Sequence, residues 1–233
     1  QSSLVPKVFP ETRLLQFSSK YMPMEALGGD LYDVYQISDK VFSVMILDVC
    51  GHGVPAALIT TMAKMAFSSN TKKYSTAHEI VSHVNQELAE VLENSGNFLT
   101  AFYAIIDIEN KIISYTNAGH NIIYILHENK TISCLPNNGP VIGVVKDLEF
   151  LSCSEQLYSG DRIVLYTDGL IEARNPTGIM FDTPRLLDIM NKYGNSDIHT
   201  FVTELCSCLK HFQDLAPVTD DVALLVIDTI FSK

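Results

Sequence analysis

Two apolar, strand-like runs lie almost end to end near the start of the chain and limit how it can fold. They read DLYDVYQI, residues 30–37, and VFSVMILDV, residues 41–49, and only SDK separates them. Three residues suit the connection of a β-hairpin, whereas a parallel crossover needs a dozen residues or more. The two strands are therefore predicted to pair antiparallel.

The other predicted elements do not alternate regularly between strand and helix, as a parallel sheet would require. Strands are predicted over residues 14–21, 98–108, 111–118, 122–126, 131–135, 148–153, 161–168 and 221–228. Helices are predicted over about 54–67, 76–94, 183–192 and 197–212. The second helix begins with a capping-box pattern, Thr76 followed by Glu79. This order favours an α+β fold with two packed antiparallel β-sheets flanked by helices, an α-β-β-α sandwich, in one domain over residues 13–233.

The first residues, QSSLVPKVFP, contain two prolines and show little periodicity. Residues 1–12 are therefore predicted to be a linker from an upstream regulatory module. Apolar residues in such a linker, here Leu4, Val5, Val8 and Phe9, need something to cover them. Because the chain begins with Gln1 rather than methionine, we expect it to be part of a longer protein.

Composition excludes several classes of function. The chain has 233 residues, 47% of them hydrophobic, and a formal net charge of −11. Its 16 lysines and arginines are scattered, so no basic stripe is available to bind nucleic acid. No apolar run approaches the ~20 residues of a membrane span, so no membrane contact by this domain is expected. Five cysteines without a CxxC pair argue against disulfides and zinc, and favour reduced thiols in the cytoplasm.

Acidic residues occur at the edges of four predicted elements. They are Asp30 after ALGG, Asp48 after VMIL, Asp168 in VLYTDG, and Asp220 with Asp221 in VTDDVALLVI. Carboxylates brought together at the rim of a core repel each other, and a bound cation would compensate. Oxygen ligands favour Mg²⁺ or Mn²⁺ over zinc. Taken singly, each acid is better explained as a turn or cap residue, so the metal interpretation depends on the pattern.

A glycine-bracketed histidine follows Asp48, in the segment Gly51-His52-Gly53. Glycine lets a ligand approach the backbone without obstruction by a side chain. The helix predicted to begin at Val54–Pro55 would add partial positive charge at its N-terminus. This segment is therefore suited to a metal, a phosphate or both, whereas the simpler interpretation is a turn with a capping acid.

Six short blocks of sequence occur in an order that is typical of one family. The blocks are GGDLYDVY, LDVCGHGVPAAL, TNAGHN, NNGPVIGV, LYTDGLIEARN and TDDVALLVI. In this order they resemble the bacterial PPM-type phosphatases, in the SpoIIE/RsbU branch of the metal-dependent serine/threonine phosphatases. The resemblance extends over nearly the whole chain, from about Ser2 to Ile227. It implies two bound ions, Mn²⁺ or Mg²⁺.

The resemblance also implies which residues hold those ions. Asp48 would bridge both metals, and the carbonyl of Val49 would be a backbone ligand. Asp168 would bind the first metal, and Asp30 would face the second, directly or through water. In the last block the implied ligand is Asp220, with Asp221 as the second choice. Asp48, Asp168 and Asp220 are accordingly the predicted catalytic residues.

Some residues depart from the family pattern or admit two interpretations. Cys50 stands where the branch often has serine, and no arginine corresponds to the one that grips phosphate in eukaryotic relatives. His52 resembles a general acid in those relatives but lies four residues after Asp48 rather than two. His120 in NAGHN is better interpreted as organising its loop. The pair His78 and His83 resembles a zinc HExxH motif but is one residue too long.

The leading hypothesis is a Mn²⁺- or Mg²⁺-dependent protein serine/threonine phosphatase that uses metal-activated water. The resemblance implies a phosphorylated protein substrate, in particular a STAS-type anti-sigma-factor antagonist in a partner-switching pathway. It also implies control by an upstream sensory or regulatory domain, allows a homodimer, and leaves room for membrane attachment of the full-length protein. The alternative is a catalytically silent PPM-fold module that only binds or senses.

Overall fold

The computed structural model describes residues 5–6, 8–25, 27–93 and 95–231. The strands within these ranges are β1 Leu15–Met22, β2 Leu31–Gln36, β3 Val41–Val49, β4 Leu99–Asp107, β5 Ile112–Ala118, β6 Ile123–Leu126, β7 Ile132–Leu135, β8 Cys153–Gln156, β9 Arg162–Tyr166 and β10 Val222–Thr229. The helices are α1 Gly53–Asn70, α2 Ala77–Leu92, α3 Asp168–Glu172, α4 Asp182–Tyr193 and α5 Ile198–Gln213. The chain is thus a mixture of strands and helices, as expected for the α+β class.

These elements divide into two compact units. Unit 1 comprises the described residues of Gln1–Glu11, Leu27–Ile122 and Pro136–Leu157. Unit 2 comprises those of Thr12–Ala26, Ile123–Leu135 and Tyr158–Lys233. Each unit holds one five-stranded antiparallel sheet, so the predicted pair of antiparallel sheets is confirmed.

Unit 1 is built on the sheet β2-β3-β4-β5-β8. β2 and β3 form the predicted hairpin, with Leu31 opposite Leu47. Helix α1 contacts β3, and α2 contacts β4 and β5. Aromatic rings join these layers: Phe67 of α1 stacks on Tyr103 of β4 with ring centroids 5.4 Å apart. Helix α1 is apolar on more than one side, since Val54, Leu58 and Met65 are exposed within unit 1 while Ile59 and Phe67 are buried in this core.

Unit 2 is built on the sheet β1-β10-β9-β6-β7. The last strand of the chain, β10, lies between β1 and β9, which agrees with its continuous apolar sequence. Helix α5 contacts β1 and β10, and α4 packs on α5. The buried residues of this core include Leu126, Tyr166, Leu186, Phe201, Leu205 and Val226.

Most predicted elements agree with the structure to within a few residues, but two do not. The strand predicted over 148–153 was wrong, because only Cys153 is in a strand and β8 runs on to Gln156. All four residues of β8 are exposed, so they carry no apolar alternation that could reveal the strand. The strand predicted to reach Asp168 ends at Tyr166, and Asp168 instead begins α3.

Three smaller expectations have mixed outcomes. Thr76 is the N-cap of α2, but its hydroxyl donates to Glu79 at 2.6 Å rather than accepting a backbone N–H. Asn94, the predicted end of this helix, lies outside the described residues. Residues 1–4 and 7 of the predicted linker, including Leu4, also lie outside them. Within that linker Val5 is buried, whereas Val8 is 82% exposed.

All five cysteines are free thiols. No helix in the described ranges is long and apolar enough to cross a membrane.

One buried arginine ties the sheet of unit 2 to its helices. Arg162 of β9 donates to both carboxylate oxygens of Asp228 on β10, at 2.7 and 2.6 Å. It also donates to the carbonyl of Ser196 in the α4–α5 connection, at 2.9 Å, and lies 4.7 Å above the ring of Phe201. With 4% of its surface exposed, this guanidinium depends on those partners to compensate for its lost hydration.

We predict that Arg162→Gln lowers the free energy of unfolding by about 3–5 kcal/mol, because Asp228 loses the partner of its partly buried charge. Urea unfolding followed by circular dichroism measures this. Lys146→Gln is the control, since Lys146 pairs with Glu90 on the surface and such pairs stabilise little. Similar midpoints for the two variants would contradict the role given to Arg162.

Candidate active site

The two acids predicted in unit 1 lie at the same end of the β2–β3 pair. Asp48 is the next-to-last residue of β3 and is opposite Thr100 of β4. Leu31 is opposite Leu47, and continuing this register by one residue places Asp30 opposite Asp48. Asp30 is 2% exposed, whereas Asp48 is half-buried. Unit 1 therefore brings these two carboxylates to one edge of its sheet.

The backbone before Asp30 is held tightly against the end of β3. A Cβ atom on Gly29 would lie 2.8 Å from the carbonyl oxygen of Val49, so only glycine permits this approach. The hydroxyl of Thr60 on α1 lies 2.7 Å from the Gly29 carbonyl oxygen and 2.9 Å from that of Ala56, so it can donate to either. Thr60 is fully buried. Helix α1 thus fixes the segment that carries Asp30 beside the predicted backbone ligand Val49.

The loop between β3 and α1 has the conformation that its glycines suggest. Gly51 and Gly53 have φ of 93° and 74°, in the left-handed region that favours glycine. His52 between them is the N-cap of α1 and is exposed, and its side chain makes no capping hydrogen bond. The first turn of α1 carries no acidic residue, so its N-terminus is suited to an anion.

In unit 2, Asp168 is positioned by the pairing of β9 with β10. The backbone N–H of Thr167 donates to the carbonyl of Ala223 at 3.1 Å, and the N–H of Ala223 donates to the Thr167 hydroxyl at 2.8 Å. A Cβ atom on Gly169 would collide with the carbonyl oxygen of Asp221. Glycine at 169 therefore lets the start of α3 lie directly against the residues that precede β10.

The adjacent acids Asp220 and Asp221 have different surroundings. Asp221 is 4% exposed, and its carboxylate accepts a hydrogen bond of 2.7 Å from the backbone N–H of Met24. Asp220 is exposed, and one of its carboxylate oxygens accepts from the N–H of Asp221 at 2.8 Å. Asp221 thus has a structural role after β1, which leaves Asp220 as the more available carboxylate.

Negative charge is crowded around Asp168. Burial, together with the charges of Asp220 and Glu172, raises the pKa of this carboxyl to about 6. Asp220 and Asp168 are therefore close enough to repel each other. A cation in this place would relieve the repulsion and favour the ionised form of both groups.

The histidines make other contacts. The backbone N–H of His120 donates to the side-chain oxygen of Asn117, and Nδ1 of its ring lies 2.8 Å from the Thr100 hydroxyl. His78 contacts Ser152 and His83 stacks on Tyr74 with centroids 3.9 Å apart. In the part of the chain that the structure describes, no three His, Cys, Asp or Glu side chains are grouped as a metal site. The expected acids thus occur as one pair in each unit, Asp30 with Asp48 and Asp168 with Asp220.

Three residues around these pairs did not emerge from the sequence. Glu172 follows Asp168 by four residues, the spacing of neighbours on one face of a helix, but α3 was not predicted. Thr60 and Thr167 are ordinary helix and strand residues by sequence, and only the tertiary contacts reveal that they position the acids.

Comparison with known sequences gives consistent relatives. The SpoIIE family, described as stage II sporulation protein E, matches residues 38–230. The phosphoserine phosphatase RsbP of Bacillus subtilis is 30% identical over 217 residues, which cover 92% of this chain and 52% of RsbP. The phosphoserine phosphatase RsbU of the same organism is 27% identical over 228 residues, 97% of this chain and 67% of RsbU. The chain thus spans about half the length of RsbP.

Comparison with solved structures supports the same fold. The SiaA-PP2C domain of Pseudomonas aeruginosa superposes with a TM-score of 0.84 at 20% identity, over 91% of this chain and 85% of that domain. The catalytic domain of the serine/threonine protein phosphatase PstP, solved with two manganese ions, has a TM-score of 0.67 at 13% identity, over 93% and 99% of the two chains. With the fold of PP2C phosphatase domains and a match over residues 38–230, this chain belongs to the SpoIIE family.

Proposed function

We propose that this chain is a Mn²⁺- or Mg²⁺-dependent protein phosphatase that hydrolyses phosphoserine and phosphothreonine. The observation that carries the proposal is the carboxylate pair Asp168 and Asp220: burial and the charge of Asp220 both raise the pKa of Asp168, and a bound cation would compensate for both. The relatives RsbP and RsbU, both named phosphoserine phosphatases, support the reaction. The two manganese ions in PstP support the use of metals by this fold.

The residues present fit a divalent cation with oxygen ligands. We propose that Asp30, Asp48 and the Val49 carbonyl in unit 1, and Asp168 and Asp220 in unit 2, are the ligands. Carboxylate and carbonyl oxygens are the donors that Mg²⁺ and Mn²⁺ prefer. Asp221 is the less suitable candidate because its carboxylate is engaged by Met24.

Ions held by these groups would supply a water nucleophile at neutral pH and neutralise charge on the phosphate. The chain's own contribution is to hold the acids in place before any ion binds. Thr60 fixes the Gly29 backbone, and Thr167 fixes Asp168 to β10. The N-terminus of α1 and the glycines 51 and 53 offer the phosphate an open, electrostatically favourable approach.

The substrate and the regulation are inferred from the relatives. We propose that the substrate is a phosphorylated STAS-type anti-sigma-factor antagonist in the cytoplasm, within a partner-switching pathway. The chain spans only 52% of RsbP, which supports control by an upstream regulatory domain in a longer protein and leaves a homodimer open. Val8, 82% exposed in the segment before β1, is suited to contact such a domain.

Hydrolysis of p-nitrophenyl phosphate tests the proposed function. We expect turnover with millimolar Mn²⁺ and none after chelation with EDTA, with activity restored when Mn²⁺ is returned. If the chain hydrolyses neither p-nitrophenyl phosphate nor a phosphoserine peptide at any Mn²⁺ concentration, the alternative of a silent PPM-fold module is favoured.

We predict that Asp48→Asn lowers the turnover of p-nitrophenyl phosphate more than tenfold while the fold stays intact. The substitution removes ligand charge from the proposed metals and a carboxylate next to Asp30. Asp39→Asn is the matched control, because Asp39 is exposed in the turn at the other end of β3. Retention of more than about a tenth of wild-type turnover, a loss below ~1.4 kcal/mol, would exclude a bridging role.

We predict that Asp220→Asn raises the Mn²⁺ concentration for half-maximal activity more than Asp221→Asn does. The charge of Asp220 acts on Asp168, whereas the carboxylate of Asp221 is engaged by the N–H of Met24, and an asparagine at 221 can still accept that hydrogen bond. Titration of activity with Mn²⁺ measures both variants. Equal shifts would show that the two acids are not distinguished as proposed.

We predict that Asp168→Asn removes the stabilisation by Mn²⁺ without destabilising the metal-free protein. The neutral side chain no longer repels Asp220 and Glu172, so the melting temperature without metal should stay the same or rise. In the wild type, Mn²⁺ at 100 times its Kd should stabilise by about 2.7 kcal/mol. Thermal melts with and without Mn²⁺ measure this, with the exposed Asp188→Asn as control; an unchanged Mn²⁺ effect in Asp168→Asn would contradict the assignment.

A further inference from the structure

A long groove runs beside β1 in unit 2. One part of it, about 470 Å³, lies between β1 and α5 and is lined by Ser18, His199 and Cys206, among others. A second part, about 580 Å³, shares Lys20, Met22 and Lys210 with the first. Because these three residues line both parts, we treat them as one feature, the β1–α5 groove.

Positive charge is concentrated at the middle of this groove. Lys20 of β1 and Lys210 of α5 are both exposed, and both act electrostatically on the thiol of Cys206. Their ammonium groups therefore converge from opposite sides on the same part of the groove. Asp214 is the single acid among the described lining residues, and it lies in the second part. On a chain with a net charge of −11, two converging lysines are a local exception.

The two ends of the groove differ in character. Beyond Lys20 the first part is hydroxyl-rich, and His199 is held there by Ser18, with Nδ1 3.0 Å from the serine oxygen. In the other direction the lining becomes apolar, with Met22, Val218 and Val222. Val222 follows Asp221, whose carboxylate accepts from the N–H of Met24. The apolar end of the groove therefore adjoins the acids Asp220 and Asp221.

The length of the groove suits an extended polypeptide better than a single small anion. From Ser18 to Pro23 the chain advances five residues, which is roughly 17 Å at the rise of a β-strand. Lys20 lies four residues before Met24, which is roughly 13 Å, or four extended residues. A peptide whose phosphorylated residue reaches the acids at one end would thus place a residue about four positions away beside the two lysines.

We propose that the β1–α5 groove binds an extended acidic segment of the phosphoprotein substrate, with Lys20 and Lys210 contacting a carboxylate about four residues from the phosphorylated serine or threonine. This docking role rests on the proposed phosphatase function. It accounts for the position of the lysines because an acidic substrate is otherwise repelled by the acidic chain.

The test uses three synthetic phosphoserine peptides and the 233-residue chain with Mn²⁺. Two peptides carry aspartates three to five positions before or after the phosphoserine, and the third has glutamines on both sides. We expect one acidic peptide to have a KM about fivefold below that of the glutamine peptide at low salt, as exposed charge pairs typically provide. The advantage should shrink at 0.3 M salt because of screening.

The double variant Lys20→Gln/Lys210→Gln should remove most of this advantage by raising the KM for the acidic peptide, with kcat for that peptide little changed. Lys192→Gln is the matched control, because Lys192 is an exposed lysine of α4 in the same unit but is not among the residues that line the groove. Its ammonium instead lies 4.8 Å from the ring centroid of Tyr193. Polyglutamate should compete with the acidic peptide in the wild type and less in the double variant. Equal KM values for acidic and glutamine peptides, or an advantage that survives in the double variant, would overturn the proposal.

Failure of docking and failure of catalysis can be told apart. If no peptide and no p-nitrophenyl phosphate is hydrolysed, the phosphatase function is wrong. Fluorescence anisotropy of the labelled acidic peptides without metal then tests the groove alone. Binding that is weakened by Lys20→Gln/Lys210→Gln but not by Lys192→Gln supports the groove, and binding that is absent or insensitive to the lysines overturns it.

Discussion

Repulsion between carboxylates is the constraint on which the site of unit 2 depends. Asp168 and Asp220 are close enough for each to disfavour the charge of the other, and Glu172 adds to the effect. Side chains alone would not hold them there, since two acids on a flexible backbone would turn apart. The backbone prevents this, because Thr167 is bonded to Ala223 and Gly169 lies against the carbonyl of Asp221. The free energy that opposes the repulsion comes from the pairing of β9 with β10 and from the core beneath them.

Unit 1 also combines strand pairing with a glycine to hold two acids close together. There the pairing of β2 with β3 brings Asp30 opposite Asp48, and a glycine again permits a close backbone approach, between Gly29 and Val49. The hydroxyl of Thr60 adds a contact from α1. In both units a threonine and a glycine with no chemistry of their own determine where an acid lies.

Local patterns predicted much of this arrangement, and tertiary contacts account for the rest. The β2–β3 hairpin followed from a three-residue connection, and the central place of β10 from its continuous apolar run. The acids Asp30, Asp48, Asp168 and Asp220 were predicted as metal ligands from the acids at the edges of predicted elements and from the resemblance, and this assignment stays a prediction. In contrast, β8 has four exposed residues and no pattern, and the short α3 is too brief for a helical period to show. The bond between Met24 and Asp221 joins residues 197 positions apart, a relation that no local pattern encodes.

The position of β10 has a consequence for how the protein is made. Among the described strands, β10 is the only neighbour of β1, and it also separates β1 from β9. During synthesis β1 must therefore wait for residues 222–229 before it can enter its sheet. Contacts of such long sequence separation slow folding, because the loop must be closed before the pairing stabilises it. The sheet of unit 2 consequently cannot be completed before β10 has been synthesised, and β1 is the segment that chaperones would have to shield until then.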